Sequence, residues 1–369
     1  MCSLLPEEII LNILSRLPVK SLLRFRCVCK SWFKLFSSSD PNFVKIHLNH
    51  AIQEKNFSVM FCRVTLYSID CDNDDDDAVE IDYPFKSSRG YVKILGSCNG
   101  LLCVTTDTVN SIICIWNPST KEYKLISKPP FEINRNIDIA YGFGYDFKIE
   151  DYKLVSIARS GSVDVASKAK VYTLGSNSWR NVETSFPFNS LNWEASGVLV
   201  NGVLHWKRSN GIESNAPVVI VSFDIADERF QEMTLPKCLH YNSDLVVCAV
   251  GGSLCIVANS HKDLNVDVWV MKDYGMLESW TKLFTISQQS GIHYLRPIQS
   301  FKNGEILFEA ELSGSLKSAL VSYDPKHERA TRILKVQSIL RWWDTVTYVG
   351  SLVSLNSGLK WSRSKKRKQ

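Results

Sequence analysis

Gly100, Gly202, Gly252 and Gly304 sit in similar surroundings and stand 102, 50 and 52 residues apart. Their hairpin cores are Ser97-Cys98-Asn99-Gly100-Leu101-Leu102, Val200-Asn201-Gly202-Val203-Leu204, Val250-Gly251-Gly252-Ser253-Leu254 and Lys302-Asn303-Gly304-Glu305-Ile306. Asn-Gly and Gly-Gly suit two-residue hairpins, because the turn needs positive φ and these residues adopt it at little cost. The double-length gap places one further unit near residue 151, where Asp151-Tyr152-Lys153-Leu154-Val155 stands with a different turn. A second marker keeps step. Strands ending in polar turns carry Trp116, Tyr172, Phe223, Met271 and Tyr323, which are 56, 51, 48 and 52 residues apart. Short strands such as Trp179-Arg180-Asn181-Val182 and Trp280-Thr281-Lys282-Leu283 follow several of them.

A unit of about fifty residues with four short antiparallel strands reads as a propeller blade, since radial closure protects the sheet edges. Five units are visible. The segments 57–61 and 348–353 are left over, and pairing them completes a sixth blade and closes the ring. The expectation is an all-β, propeller-like domain of about six blades; an irregular sandwich or open β fold is the alternative.

Before residue 50 the period is helical. Ile9, Ile10, Ile13, Leu14 and Leu17 share one face, with Pro6 in the first turn and Glu7 and Glu8 at the positive end of the helix dipole. Pro18 stops this helix. A second is expected over Lys20–Arg26 and a third over Cys29–Ser37, carrying Trp32, Phe33 and Phe36; Asp40-Pro41 then breaks the pattern. Some forty residues are too few to bury this many large side chains alone, so a second surface must receive them, in this chain or in another protein.

Composition narrows the function. With 45% apolar and 22% charged residues the chain has the balance of an ordered soluble protein. No run approaches the ~18 apolar residues of a membrane span, and the first residues lack the basic start of a secretory signal. The eleven cysteines are odd in number, scattered and set in apolar runs, as in Leu102-Cys103-Val104, which fits reduced thiols in the cytoplasm or nucleus. The acidic run Asp70–Asp77 reads as a surface loop without the glycine and closing glutamate of a calcium site. The basic cluster Arg363–Lys368 reads as a solvated tail or an import signal, and it lacks the interleaved aromatics of single-strand nucleic-acid binding. No nucleophile elbow, zinc-protease motif or phosphate loop occurs, and the seven histidines are dispersed. No cofactor or metal is called for. Gly142-Phe143-Gly144 is better explained by hairpin glycines than by dinucleotide binding, and His205 beside Trp206 by packing than by catalysis.

The stretch Leu5-Pro6-Glu7-Glu8-Ile9 through Arg26-Cys27-Val28-Cys29-Lys30-Ser31-Trp32 closely resembles the F-box of plant F-box proteins. Gly96–Val104, Trp116–Ile126 and Tyr141–Val155 look like the F-box-associated, kelch-like domain that follows it in that family. The resemblance implies an F-box at residues 1–45, a recognition domain at 46–358 and a basic tail at 359–369. It implies a non-catalytic receptor that docks on a Skp-type adaptor, and through it on cullin and RING subunits, so that a bound target is ubiquitinated. Leu5, Pro6, Ile9, Ile13, Leu14, Leu17, Pro18, Leu22, Val28, Cys29, Trp32 and Phe36 are the expected adaptor-facing set, several of which will instead hold the helices together. The pollen S-locus type, whose targets are secreted-type ribonucleases, is one subclass with similar features. The loops at 128–138, 207–217 and 287–294 are candidate recognition elements. Two other readings compete: an adaptor-binding protein that degrades nothing, and a propeller enzyme with an incidental helical cap.

Overall fold

A computed structural model describes residues 5–37, 41–62, 65–70, 78–86, 91–107, 112–131, 139–158, 168–184, 196–209, 218–239, 245–260, 265–287, 292–312, 318–334 and 344–355. It opens with four helices: α1 (Glu7–Ser15), α2 (Val19–Phe25), α3 (Lys30–Leu35) and α4 (Pro41–Gln53). Pro6 and Pro18 stand at the N-caps of α1 and α2, and the Cys29 sulfur caps α3 by accepting from the Trp32 amide. The sequence expectation of three helices is short by one. Pro41 begins a helix instead of ending the module, because a first-turn proline lacks only an N–H that would be unpaired anyway. Phe43, Val44, His47, Leu48 and Ala51 then line the buried face of α4, so helix continues through the expected boundary at residue 45.

Among the described residues twenty-four strands follow. The first group is β1 (Ser58–Cys62), β2 (Leu66–Asp70) and β3 (Val79–Glu80). The second is β4 (Tyr91–Cys98), β5 (Leu101–Asp107), β6 (Ile113–Trp116) and β7 (Tyr123–Ile126), and the third β8 (Ile139–Asp146), β9 (Asp151–Ala158), β10 (Lys168–Thr173) and β11 (Ser178–Val182). The fourth is β12 (Val198–Val200), β13 (Val203–Ser209), β14 (Val218–Asp224) and β15 (Arg229–Met233). The fifth is β16 (Leu245–Val250), β17 (Ser253–Ser260), β18 (Asn265–Met271) and β19 (Trp280–Ser287). The sixth is β20 (Ile292–Ser300), β21 (Ile306–Leu312), β22 (Ser318–Asp324) and β23 (Arg329–Leu334), and β24 (Asp344–Tyr348) ends the series. Each group is an antiparallel meander, and β24 joins the first as β24-β1-β2-β3, giving six four-stranded sheets. The first strand of every sheet touches its counterparts in the sheets before and after, from β4 round to β24 and back, so the sheets are blades of a closed ring.

Closure differs in detail from the expectation. Asp344–Tyr348 pairs with Ser58–Cys62, whereas residues 349–355 run on as a buried strap with no strand. Asn117 explains the difference. Its side-chain amide donates to the carbonyls of Ser351 (3.1 Å) and Val353 (2.7 Å), taking acceptors a ladder would otherwise use.

Six apolar clusters fill the six gaps between neighbouring blades. This accounts for the near-continuous apolar runs of the inner strands. In β14, Ile220 packs toward the fifth blade while Val221 and Phe223 pack toward the third, so both faces are buried. The missing turn signature of the third blade also has an explanation. Asp146 Oδ1 accepts from the amides of Lys148 and Ile149, and Glu150 takes positive φ (55°). Asp224 does the same for Ala226 and Asp227 before Glu228 (55°) in the β14–β15 turn. The third blade therefore uses in its first hairpin the aspartate turn that another blade keeps for its last.

His205 joins the fourth blade to the fifth. Its Nδ1 donates to the Val198 carbonyl (3.0 Å) and its Nε2 accepts from the Tyr274 hydroxyl (2.8 Å). Burial holds the imidazole down to about 4 from the ordinary 6.5. Between those values the unfolded chain binds a proton that the folded chain refuses, so stability falls as pH falls through the window, by about 3 kcal/mol in all. Buried Asp344, pushed up to about 6, acts in the opposite direction. A comparison with His205→Gln isolates the histidine. Denaturant titrations at pH 7 and pH 4.5 are expected to show the wild type losing more stability than the variant; equal losses would remove this role.

Candidate adaptor-docking surface and recognition face

In a meander ring, the first-to-second and third-to-fourth turns of every blade lie at one end, and the remaining connections lie at the other. The helices occupy the first end. Lys55, just after α4, donates to Ser300 Oγ (3.0 Å) and the Phe301 carbonyl (3.2 Å) at the β20–β21 turn. Gly350 of the strap lies against Val19 of α2, and Gly100, at φ +78°, has room for no side chain beside Ser351 and Val349. Leu14, Val19, Leu22, Phe36, Phe43, Val44 and Leu48 form one apolar cluster with the second and third blades and with Leu352, Val353 and Leu355. The second surface demanded by the helical pattern is therefore supplied, on one side, by this chain's own ring.

The expected adaptor-facing residues divide on this geometry. Leu14, Leu22 and Phe36 are buried inside the chain, while Leu17 and Trp32 are half-buried against the same cluster. Leu5, Pro6, Ile9, Ile13, Pro18, Val28 and Cys29 are exposed. On α1 the split follows from helical geometry. Ile10 and Leu14 point to the cluster, whereas Ile9 and Ile13, four apart, form a separate row that stays nearly half exposed. Val28 and Phe33 are more than half exposed. Phe33 was not among the expected set. Its signal lay in the pattern of α3, where Trp32, Leu35 and Phe36 account for the inward side and leave Phe33 on the other. Ile46 and Ile52 are likewise exposed on α4.

Two contacts hold this surface in shape. The Arg26 guanidinium donates to the Phe36 carbonyl from Nε (3.1 Å) and Nη2 (2.5 Å), tying the α2–α3 bend to the end of α3. His47 Nε2 donates to the Leu17 carbonyl (2.9 Å), and burial lowers its basicity, so it stays neutral and braces the α1–α2 corner.

The far end carries the other connections. Strands β7, β13 and β19 run from the helix end outward, so the segments after Ile126, Ser209 and Ser287 leave from the opposite rim. Residues 132–138, 210–217 and 288–291 of the three expected recognition loops lie outside the described residues, as does the basic tail. The acidic run at 71–77 lies outside them too. Its flanks, Asp70 and Ala78, stand at the helix end, because β2 runs toward the helices. Among the described residues no group of three or more His, Cys, Asp or Glu is placed to hold a metal ion, and no helix is long and apolar enough to cross a membrane.

Comparison with known proteins matches both parts. An F-box domain model matches residues 2–43, and an F-box associated beta propeller domain model matches residues 54–355. The F-box/kelch-repeat protein At3g23880 of Arabidopsis thaliana is 29% identical, over 95% of this chain and 96% of its own length. F-box protein CPR1 of the same plant is 29% identical over 80% of this chain and 76% of its own. Among solved structures, TolB from Acinetobacter baumannii shares the fold with a TM-score of 0.54 at 10% identity, covering 84% of this chain and 73% of that one. The helices that pack beneath the ring and the ring itself are thus each recognised, in this order, and the chain belongs to the plant-type F-box proteins with an F-box-associated β-propeller, a family that generally serves as substrate-recognition subunits of SCF ubiquitin ligases.

Proposed function

We propose that this chain is the substrate-recognition subunit of an SCF-type E3 ubiquitin ligase, with the exposed side of its helices bound to a Skp-type adaptor and the far rim of its propeller holding the target. The observation that carries this reading is the division of the helical module. One side is sealed into the ring, yet Ile9, Ile13, Val28 and Phe33 stay in water on the other. An apolar row on a short helix that already has a packed core is the composition of a docking ridge, where a few aliphatic and aromatic anchors supply most of the affinity. The second support is the arrangement of ends. A target on the far rim does not compete with the adaptor, and a rigid body between them fixes its distance from the activated ubiquitin, so rate comes from proximity and needs no side-chain chemistry here.

The test is purification of the full chain from plant tissue, with and without proteasome inhibition. Recovery of Skp and cullin subunits, together with a ubiquitinated protein that accumulates under inhibition, is the expected result. Recovery of the adaptor with a captured protein whose amount and modification do not respond would favour the non-degradative reading. Absence of the adaptor would overturn the proposal.

A further inference from the structure

Among the described residues, the gap between the first and second blades is left open at its outer edge. β3 has only two residues, and it pairs Val79 with Ser68 and Glu80 with Tyr67. Register fixes which way the neighbouring side chains point. Met60 and Ser68 are partners on the blade face whose Met60 and Leu66 join the cluster shared with the second blade, so Val79 lies on that face too. On the second blade Trp116 pairs with Tyr123 and Cys114 with Leu125, and both Trp116 and Cys114 belong to the same cluster. Tyr123 and Leu125 therefore look into the same gap. At its inner end the gap is dry. At its rim, Val79, Tyr123 and Leu125 remain 61%, 51% and 53% exposed, and no longer outer strand among the described residues covers them.

The strap brings the chain to this spot. After crossing beneath the second blade it is pinned at Glu122, whose Oε2 accepts from Ser354 Oγ (2.6 Å) and from the Leu355 amide (2.9 Å). Glu122 immediately precedes Tyr123 in the sequence. The residues after Leu355 read Asn-Ser-Gly-Leu-Lys-Trp-Ser-Arg-Ser-Lys-Lys-Arg-Lys-Gln, with Leu359 and Trp361 followed by Arg363, Lys365, Lys366, Arg367 and Lys368. At ~3.3–3.6 Å per residue, Trp361 reaches ~20 Å from Leu355, well beyond Leu125, and the basic residues reach further. The first blade carries the exposed carboxylates Asp70 and Asp82 at this edge, while Glu80, paired with Tyr67 on the opposite face, is bound to Lys86 (3.0 Å). An apolar pair followed by a basic run thus starts beside an apolar rim followed by an acidic edge.

We propose that residues 356–369 seat in this gap, with Leu359 and Trp361 covering Val79, Tyr123 and Leu125 and the basic run lying along the acidic edge of the first blade. The segment then acts as the missing outer cover of the first blade and secures the join where the ring closes. This assignment is independent of the ligase reading.

Hydrogen exchange on the full chain, compared with a chain stopped after Leu355, tests it. Amides of β3 and β7 are expected to exchange at least about tenfold faster in the shortened chain, with the other blades unchanged. A synthetic peptide of residues 356–369 should restore protection in trans and lose this effect when Trp361 is replaced by alanine or when salt is raised. The double variant Tyr123→Ser, Leu125→Ser, whose changed side chains are exposed and leave the fold intact, should no longer respond to the peptide. Unchanged exchange on truncation, with no response to the peptide, would overturn the proposal. So would concentration-dependent protection of the same strands in the shortened chain, which would assign the rim to a second copy.

Discussion

Replacing Ile9 and Ile13 together with aspartate is expected to abolish capture of a purified Skp-type adaptor while the chain stays folded. Both side chains belong to the outward row of α1, so the folded chain loses little packing. In a docked complex each change removes roughly 1.5–3 kcal/mol of apolar burial and forces a carboxylate out of water. A loss of about a thousandfold or more in affinity follows, near 4 kcal/mol. Calorimetric titration of adaptor into receptor measures it directly, with circular dichroism melting as the control for folding. Affinity within twofold of wild type would show that the ridge faces no adaptor. Leu14→Asp makes the instructive contrast. It lies on the same helix but inside the cluster, and it is expected to melt the helical module instead of merely uncoupling it.

Asn117→Leu should carry the largest stability cost of any uncharged single substitution in the strap region. Asn117 is fully buried, and its side chain makes five hydrogen bonds, one of them from Nδ2 to the Ser351 hydroxyl (3.5 Å). Nδ2 also donates to the carbonyls of Ser351 and Val353, and Oδ1 accepts from the amides of Ser119 (2.9 Å) and Thr120 (3.4 Å). Leucine keeps the branching at Cγ but is bulkier, and it satisfies none of these groups. Two carbonyls in the buried strap and two amides in the β6–β7 turn lose their partners, at about 3–5 kcal/mol in sum. Urea unfolding read by far-ultraviolet dichroism should show the change, and limited proteolysis should cut first within residues 349–355. Asn117→Asp keeps the acceptor but turns a buried carboxylate oxygen toward two carbonyls, so it should be at least as destabilising at neutral pH and recover as acid protonates it. A leucine variant as resistant as wild type would mean that the strap is held by its apolar residues alone.

Much of this architecture was legible because turns are local. Asn99-Gly100 and Asn201-Gly202 take positive φ at both positions, as a two-residue hairpin requires, and their spacing alone counts blades. The third blade hid because its aspartate turn is also local but belongs to another part of the blade pattern. The closing strand was placed four residues late for a different reason. Nothing in Tyr348–Val353 shows that Asn117, far away in sequence, will take its carbonyls. On the helices, periodicity identified an apolar set but could not say which members faced the ring, since one amphipathic stripe looks the same whichever surface it meets. Phe33, which the structure leaves exposed, stood outside the expected set on that account. The segments of the far rim carry no period, so their sequence announces a loop and nothing more.

The closing strand has a consequence for how the molecule comes into being. β1 waits for β24, which is translated almost three hundred residues later, and the seat of the helical module includes Leu352, Val353 and Leu355. A growing chain can form its helices and intermediate blades in order, but it cannot lock the ring or fix the helices beneath it until that last stretch has left the ribosome. Synthesis that stops early leaves the helices without their support and β1 with an open edge, a state that quality control recognises by its exposed apolar surface. The join of β1 to β24 thus makes the rigidity of the ring, and of the helices seated on it, depend on one late-made stretch, residues 344–355.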